Sequence, residues 1–258
     1  MKITILGAGA FGKALEKILT DNHHDVKFYD PLVIPETSLD AATFQADAIV
    51  IAIPSNILPS FLEEYPEHLK KVPTILASKG LLDLDLFKDF TQFSVLSGPA
   101  FAAEILQGKP ATMTASNAFS MNIFQNSQLR IELCEDALGI VICGALKNIY
   151  AIGAGYHSDS EDSFAVFIQN AHIETKHYLE KHGANPETAE LSCGLGDLIL
   201  TCTSRTSRNF TCGIRLREGK STEEIVNELH TVEGLSALQN VDFEGYPLLK
   251  EINDLVNL

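Results

Sequence analysis

The chain opens on a short β-branched run, Lys2-Ile3-Thr4-Ile5-Leu6, and passes through Gly7-Ala8-Gly9-Ala10-Phe11-Gly12 into a helical pattern from Lys13 to Leu19. A second strand is predicted from Val26 to Tyr29. Further apolar runs at Ala48 to Ile53, Pro73 to Ala77 and Phe93 to Leu96 read as buried strands, with helical patterns between some of them. This alternation predicts an α/β fold, a Rossmann-type doubly wound and mostly parallel sheet with ligands at the carboxyl ends of its strands. Past strands near Thr112 and over Leu129 to Cys134 the period changes. From Asp136 to Gly155 the chain reads as one long apolar helix carrying Gly139, Gly144, Ala145, Ala151, Gly153 and Gly155. Each interior glycine costs up to ~1 kcal/mol relative to alanine, so this helix is expected to be closely packed by neighbours, at the centre of a domain. The predicted division is residues 1–135 for the sheet domain and 136–258 for a smaller all-helical one.

The strand, glycine turn and helix stand in the order that gives a dinucleotide fingerprint its meaning. Gly7 suits the tight turn, Gly9 admits a pyrophosphate to the backbone, and Gly12 lets helix and strand pack closely. Asp30 ends the second strand about 20 residues past the glycines, where a ribose-reading acid belongs. A carboxylate there accepts from the ribose 2′-OH and repels a 2′-phosphate, so NAD is the expected cofactor, with NADP second. A structural turn that happens to hold two glycines is the competing reading.

Composition narrows the partners. With 45% hydrophobic and 21% charged residues, disorder, collagen and coiled coil are excluded. Apolar runs such as Ala48 to Pro54 fall far short of the ~20 residues of a membrane helix, so no membrane span is expected. Lys13, Glu16 and Lys17 cut off the apolar opening, which argues against a signal peptide. A net charge of −15 sets the chain against nucleic acid and anionic lipid, so an anionic ligand needs a local gathering of Lys and Arg. Five cysteines, an odd number without CxxC, fit a reduced cytoplasmic protein. His172 and His177, five apart on a predicted helix, share no face well, and no metal is expected.

Three places hold cations of interest. Lys79 stands where a strand gives out, either as a solvated loop lysine or as a ligand contact. Lys147 and Asn148 lie within the apolar helix, where a lysine either reaches a wet stripe or is desolvated and suited to proton transfer. Asp197, four residues before Thr201 and hence on the same helical face, is its candidate partner. Immediately after, Cys202-Thr203-Ser204-Arg205-Thr206-Ser207-Arg208-Asn209 offers two arginines and four hydroxyls without an acid, either an exposed loop or a phosphate site.

The ordered set resembles the NAD(P)-dependent glycerol-3-phosphate dehydrogenases of the bacterial type, as an unusually short member. The resemblance rests on Gly7-Ala-Gly-Ala-Phe-Gly-Lys-Ala14, Ala52-Ile-Pro-Ser55, Ser78-Lys-Gly-Leu81, Ser97-Gly-Pro-Ala-Phe-Ala-Ala-Glu104, Gly144-Ala-Leu-Lys-Asn-Ile149, Gly194-Leu-Gly-Asp-Leu-Ile-Leu-Thr-Cys202, Ser207-Arg-Asn209 and Val232-Glu-Gly234. It implies hydride transfer between NAD(P)H and dihydroxyacetone phosphate, giving sn-glycerol 3-phosphate. It gives Lys147 the general acid/base role, Asp197 that of its charged partner, and Lys79 contacts to substrate and cofactor. Gly98, Asn148, Thr201, Ser207, Arg208 and Asn209 fall with the substrate, chiefly its phosphate. Ala10, Phe11, Ala102, Glu233 and again Arg208 fall on cofactor-contacting positions, beside the Gly7, Gly9, Gly12 and Asp30 of the turn. Relatives are commonly dimers, which makes a homodimer the natural assembly to look for. The chain is shorter than typical relatives between Asp30 and Ala46 and again after Gly234. Ala100 stands where many relatives carry a hydroxyl, and Val141 where an acid is usual. A related reductase of another small phosphorylated or acidic substrate, or a catalytically weak nucleotide-binding homologue, are the alternatives.

Overall fold

The computed structural model describes residues 1–80 and 82–257. Leu81, which ends one of the motifs above, and Leu258 lie outside the described residues. The chain forms two compact units: Met1–Ser78 with Leu82–Ala137, and Lys79 and Gly80 with the chain from Leu138 onward.

The first unit holds strands β1 (Lys2–Leu6), β2 (Asp25–Tyr29), β3 (Ala48–Ile51), β4 (Thr74–Leu76), β5 (Phe93–Ser97), β6 (Ala111–Ala115) and β7 (Leu129–Leu133). Between them run helices α1 (Ala10–Asp21), α2 (Leu39–Thr43), α3 (Leu58–Glu63), α4 (Ala102–Leu106) and α5 (Ala118–Phe124). The strands form one sheet in the order β2-β1-β3-β4-β5-β6-β7. All neighbours are parallel except β5 and β6. The interior strand β3 is buried at every position, whereas the edge strands β2 and β7 are in part exposed, as expected where a parallel sheet is covered on both faces only at its middle. Helix α1 buries Ala14, Leu15, Ile18 and Leu19, one face of a 3.6-residue period, against Ile3 and Ile5 of β1. The order reverses at β1, with β2 on one side and β3 on the other, so the carboxyl end of β1 is the switch point at which such sheets bind ligands.

The second unit is helical: α6 (Ala137–Tyr156), α7 (Glu161–Lys181), α8 (Asp197–Thr203), α9 (Arg208–Arg217), α10 (Thr222–Leu229), α11 (Glu233–Leu238) and α12 (Pro247–Val256). Helix α6 is long and apolar enough to cross a membrane by length and composition, but 89% of that stretch is buried inside the fold. It is a core helix. Glycine is sterically required where it meets α9: a Cβ on Gly155 of α6 would lie 2.0 Å from the Phe210 carbonyl oxygen, and one on Gly213 of α9 would lie 1.8 Å from that of Ile152. Helices α6 and α9 therefore meet backbone to backbone, a contact no side chain could enter. The acidic stretch at Asp159 to Asp162 starts α7, with Ser160 as its N-cap and Glu161 and Asp162 in the first turn. Glu174, buried on α7, accepts from the amides of Leu248 and Leu249 at 3.0 and 2.9 Å and from the Tyr150 hydroxyl at 3.2 Å, which fixes the start of α12. All five cysteines carry thiols rather than disulfides, and Cys143, Cys193, Cys202 and Cys212 are buried in this unit.

Candidate active site

In the first unit, the β1–α1 turn is shaped by contacts that exclude side chains. Gly7 has φ +108°, and a Cβ there would stand 2.7 Å from the Ala52 carbonyl oxygen. A Cβ on Gly12 would lie 2.1 Å from the Gly7 carbonyl oxygen, so the helix packs on the turn only as glycine. Gly9 differs: its Cβ would meet nothing within 4 Å, leaving open space over the start of α1. Gly9 is the N-cap, with no side-chain cap bond and no acid in the first turn, and Gly9 and Ala10 are exposed. Main-chain amides and the positive end of a 12-residue helix thus border an open cradle, which fits a pyrophosphate. Asp30 adjoins the turn. Its Oδ2 accepts from the Ala8 amide at 2.8 Å and its Oδ1 from the Leu32 amide at 3.1 Å, which holds the carboxylate while leaving lone pairs for a ribose hydroxyl. The bond from Ala8 to Asp30 is a feature the sequence reading missed. Elsewhere in this unit, Gly98 follows β5 with φ +150° and presses on Met113, and Ala102 opens α4.

In the second unit, Lys147 and Asp197 form a buried ion pair between α6 and the first residue of α8, 3% and 2% exposed at the side chain. The Lys147 Nζ donates to Asp197 Oδ2, and the Thr201 hydroxyl donates to Asp197 Oδ1 at 3.4 Å. Burial lowers the Lys147 pKa from the usual 10.5 to about 8, with the nearby Lys79 acting in the same sense and the Asp197 and Glu233 carboxylates opposing. Lys79, Lys147, Asp197, Thr201 and Glu233 are therefore brought together electrostatically or by contact. A π-helical turn, Ser192–Gly196, delivers Asp197 to this position, and a Cβ on Gly194 would stand 2.2 Å from the Ala189 carbonyl oxygen. The two glycines just before the acid were the available signal for that turn. Cys202 lies near enough to both charges to feel them, and burial pushes its thiol up.

The arginine and hydroxyl segment becomes the start of α9. Ser207 is its N-cap and accepts from the Phe210 amide at 3.3 Å, so that hydroxyl already serves the helix. Arg205 and Arg208 are exposed, whereas Asn209 turns inward and is buried. Asn148 donates to Glu233 Oε2 at 3.0 Å, which joins two positions separated by 85 residues. No group of three or more His, Cys, Asp and Glu residues suited to a metal is found among the described residues.

Comparison with known proteins decides what this arrangement belongs to. Residues 136–255 match the NAD-dependent glycerol-3-phosphate dehydrogenase C-terminus, and residues 29–122 match the N-terminus of the same family. A glycerol-3-phosphate dehydrogenase [NAD(P)+] of Bacillus pumilus is 32% identical over an alignment of 298 residues, covering 97% of this chain and 85% of that protein. The chain belongs to the NAD(P)-dependent glycerol-3-phosphate dehydrogenase family. It is also 33% identical to the enzyme of that name from Leptospira biflexa, across 90% of this chain and 84% of the relative. The fold is that of the glycerol-3-phosphate dehydrogenase from Coxiella burnetii, with a TM-score of 0.89 at 24% identity over 99% of this chain and 94% of the other. An alignment of 298 residues against a chain of 258 means that the Bacillus relative carries segments missing here. This chain is a short family member.

Proposed function

We propose that the chain reduces dihydroxyacetone phosphate to sn-glycerol 3-phosphate, and catalyses the reverse, with Lys147 as the general acid/base. The observation that carries this reading is the buried Lys147–Asp197 pair in a chain of this family. The first unit serves as the dinucleotide domain and the second as the substrate domain. When bound, the nicotinamide cofactor supplies or takes up the hydride at C2. As the carbonyl is reduced, negative charge builds on the C2 oxygen, and an ammonium beside it both stabilises that charge and delivers the proton. A lysine with a pKa of about 8 suits both directions: it is mostly protonated at neutral pH and releases its proton at modest cost. Asp197 holds the amine in place after the proton has left, and Thr201 fixes the second carboxylate oxygen. Lys79 adds a second cation beside the first. Arg208, exposed at the first turn of α9, takes the substrate phosphate in this reading.

The test is the fall of NADH absorbance on adding dihydroxyacetone phosphate to the purified protein, for the native chain and for Lys147→Ala. Turnover by the native chain and its loss in the variant, with NADH still bound, is the expected result. Unchanged turnover in the variant would remove Lys147 from the mechanism.

A further inference from the structure

Asn148 and Asn209 belong to a buried hydrogen-bond chain that the proposed reaction does not by itself require. Their residues are 3% and 6% exposed, so their amides must be satisfied from within the protein. The Asn209 amide nitrogen donates to Asn148 Oδ1 at 3.0 Å. The Asn209 Oδ1 accepts from the Gly234 backbone amide at 2.9 Å. The Asn148 amide nitrogen donates to Glu233 Oε2 at 3.0 Å and, more weakly, to the Gly144 carbonyl at 3.4 Å. Since Glu233 and Gly234 are adjacent, the circuit closes on itself: α11 to α9, α9 to α6, α6 back to α11. Gly234 is pressed on α6 at the same place, because a Cβ there would stand 2.5 Å from the Asn148 carbonyl oxygen.

Each member is next to, or is itself, a residue with a ligand-facing role in the proposed reaction. Asn148 follows Lys147, Asn209 follows Arg208, and the Glu233 carboxylate lies near enough to Lys147 to act on its charge. The hydrogen bonds use both donor hydrogens of Asn148 and leave Asn209 a single one for any ligand. We propose that Asn148 and Asn209 are positioning residues whose amide link registers α6, α9 and α11, and so sets Glu233 against Lys147 and Arg208. This rests on the reading of the active site given above. A hydrogen-bond ring broken at any one member loses its register once, so its members act as a unit rather than additively.

The experiment compares Asn148→Ala, Asn209→Ala, the double variant and Glu233→Gln of the full chain. The readouts are the NADH dissociation constant by fluorescence without substrate, the KM for dihydroxyacetone phosphate, and the melting temperature. Each alanine variant is expected to weaken NADH and to raise the substrate KM by about tenfold, the scale of one lost hydrogen bond in a buried site. The double variant should lose no more than either single one. Glu233→Gln, which keeps an acceptor for Asn148, should retain most of the substrate affinity. A raised substrate KM with an unchanged NADH constant would make these residues plain substrate ligands and overturn the proposal, as would a lowered melting temperature with both constants unchanged. Additive losses in the double variant would also overturn it. If Asn209→Ala does not fold, Asn209→Asp carries the same test at the same size, since its second oxygen would face Asn148 Oδ1 as acceptor against acceptor. A native chain that binds no NADH would instead defeat the function proposed above.

Discussion

In the first unit the candidate ligand surface is main chain: a glycine turn, open amides and the end of α1, with Asp30 tied to the turn through the Ala8 amide. In the second unit it is side chain: a buried lysine, a buried aspartate and two buried amides joined to a glutamate. The first depends on what is missing, because space at Gly7 and Gly12 is closed to even a methyl group. The second depends on protonation and on partners, because each buried polar atom there is costly unless matched. A steric site and an electrostatic one should fail in different ways.

The largest effect should come from the electrostatic side. Lys147→Ala is expected to cut kcat/KM by roughly 10² to 10⁴, the range of general acid/base catalysis, with NADH binding retained in a fluorescence titration. Next is a steric break: Gly12→Ala and Gly155→Ala each force a Cβ to within about 2 Å of a backbone oxygen and should cost about 3 kcal/mol or more in urea unfolding. Gly9→Ala sharpens the contrast. With nothing near its Cβ it should leave the melting temperature almost unmoved, yet weaken NADH by occupying the cradle; unaltered NADH affinity would show that the cradle is not used.

Cofactor choice is a smaller effect. No Lys or Arg stands between Lys27 and Lys70, while Asp30 is held at the turn, so NADPH should bind about tenfold or more weakly than NADH. Equal affinities in titration would count against that role of Asp30. The effects of pH are graded. Lys147 has its folded pKa lowered to about 8, so the unfolded chain holds this proton more firmly, and stability gains from this group as pH rises from about 8 towards 10.5. Lys147→Met should abolish that gain in melts recorded across the range. For the same reason the rate of ketone reduction should fall above about pH 8 and that of alcohol oxidation should rise there.

Most of the first unit was legible because its determinants are local. The first two strand runs, the glycine turn and Asp30 lie within 30 residues, and each residue type answers to a nearby backbone need. The long helix was legible too, since an apolar run broken by glycines can only be a packed one. Which helix closes on those glycines was not, because Gly155 meets Phe210 through a fold that no periodicity encodes. The Lys147–Asp197 pair was anticipated from an isolated cation and a helical Asp and Thr spacing. The amide circuit was not, since Asn148 and Glu233 have no mutual signal in the chain, and an asparagine in a helix announces neither its partner nor its burial. The π-helical turn before Asp197 left two glycines as its one signal: it is a one-residue adjustment of phase whose cause is the packing of Gly194 against Ala189.

The four buried thiols of the second unit give it a built-in clock. Burial pushes those of Cys202 and Cys212 up, so neither is a nucleophile while its helix is in place. An alkylating reagent should therefore capture them only during excursions in which α6, α8 and α9 part. The rate of that capture, followed by mass, measures how often the helical unit opens under native conditions. Ligands that dwell on its closed form should slow the clock in proportion to their occupancy.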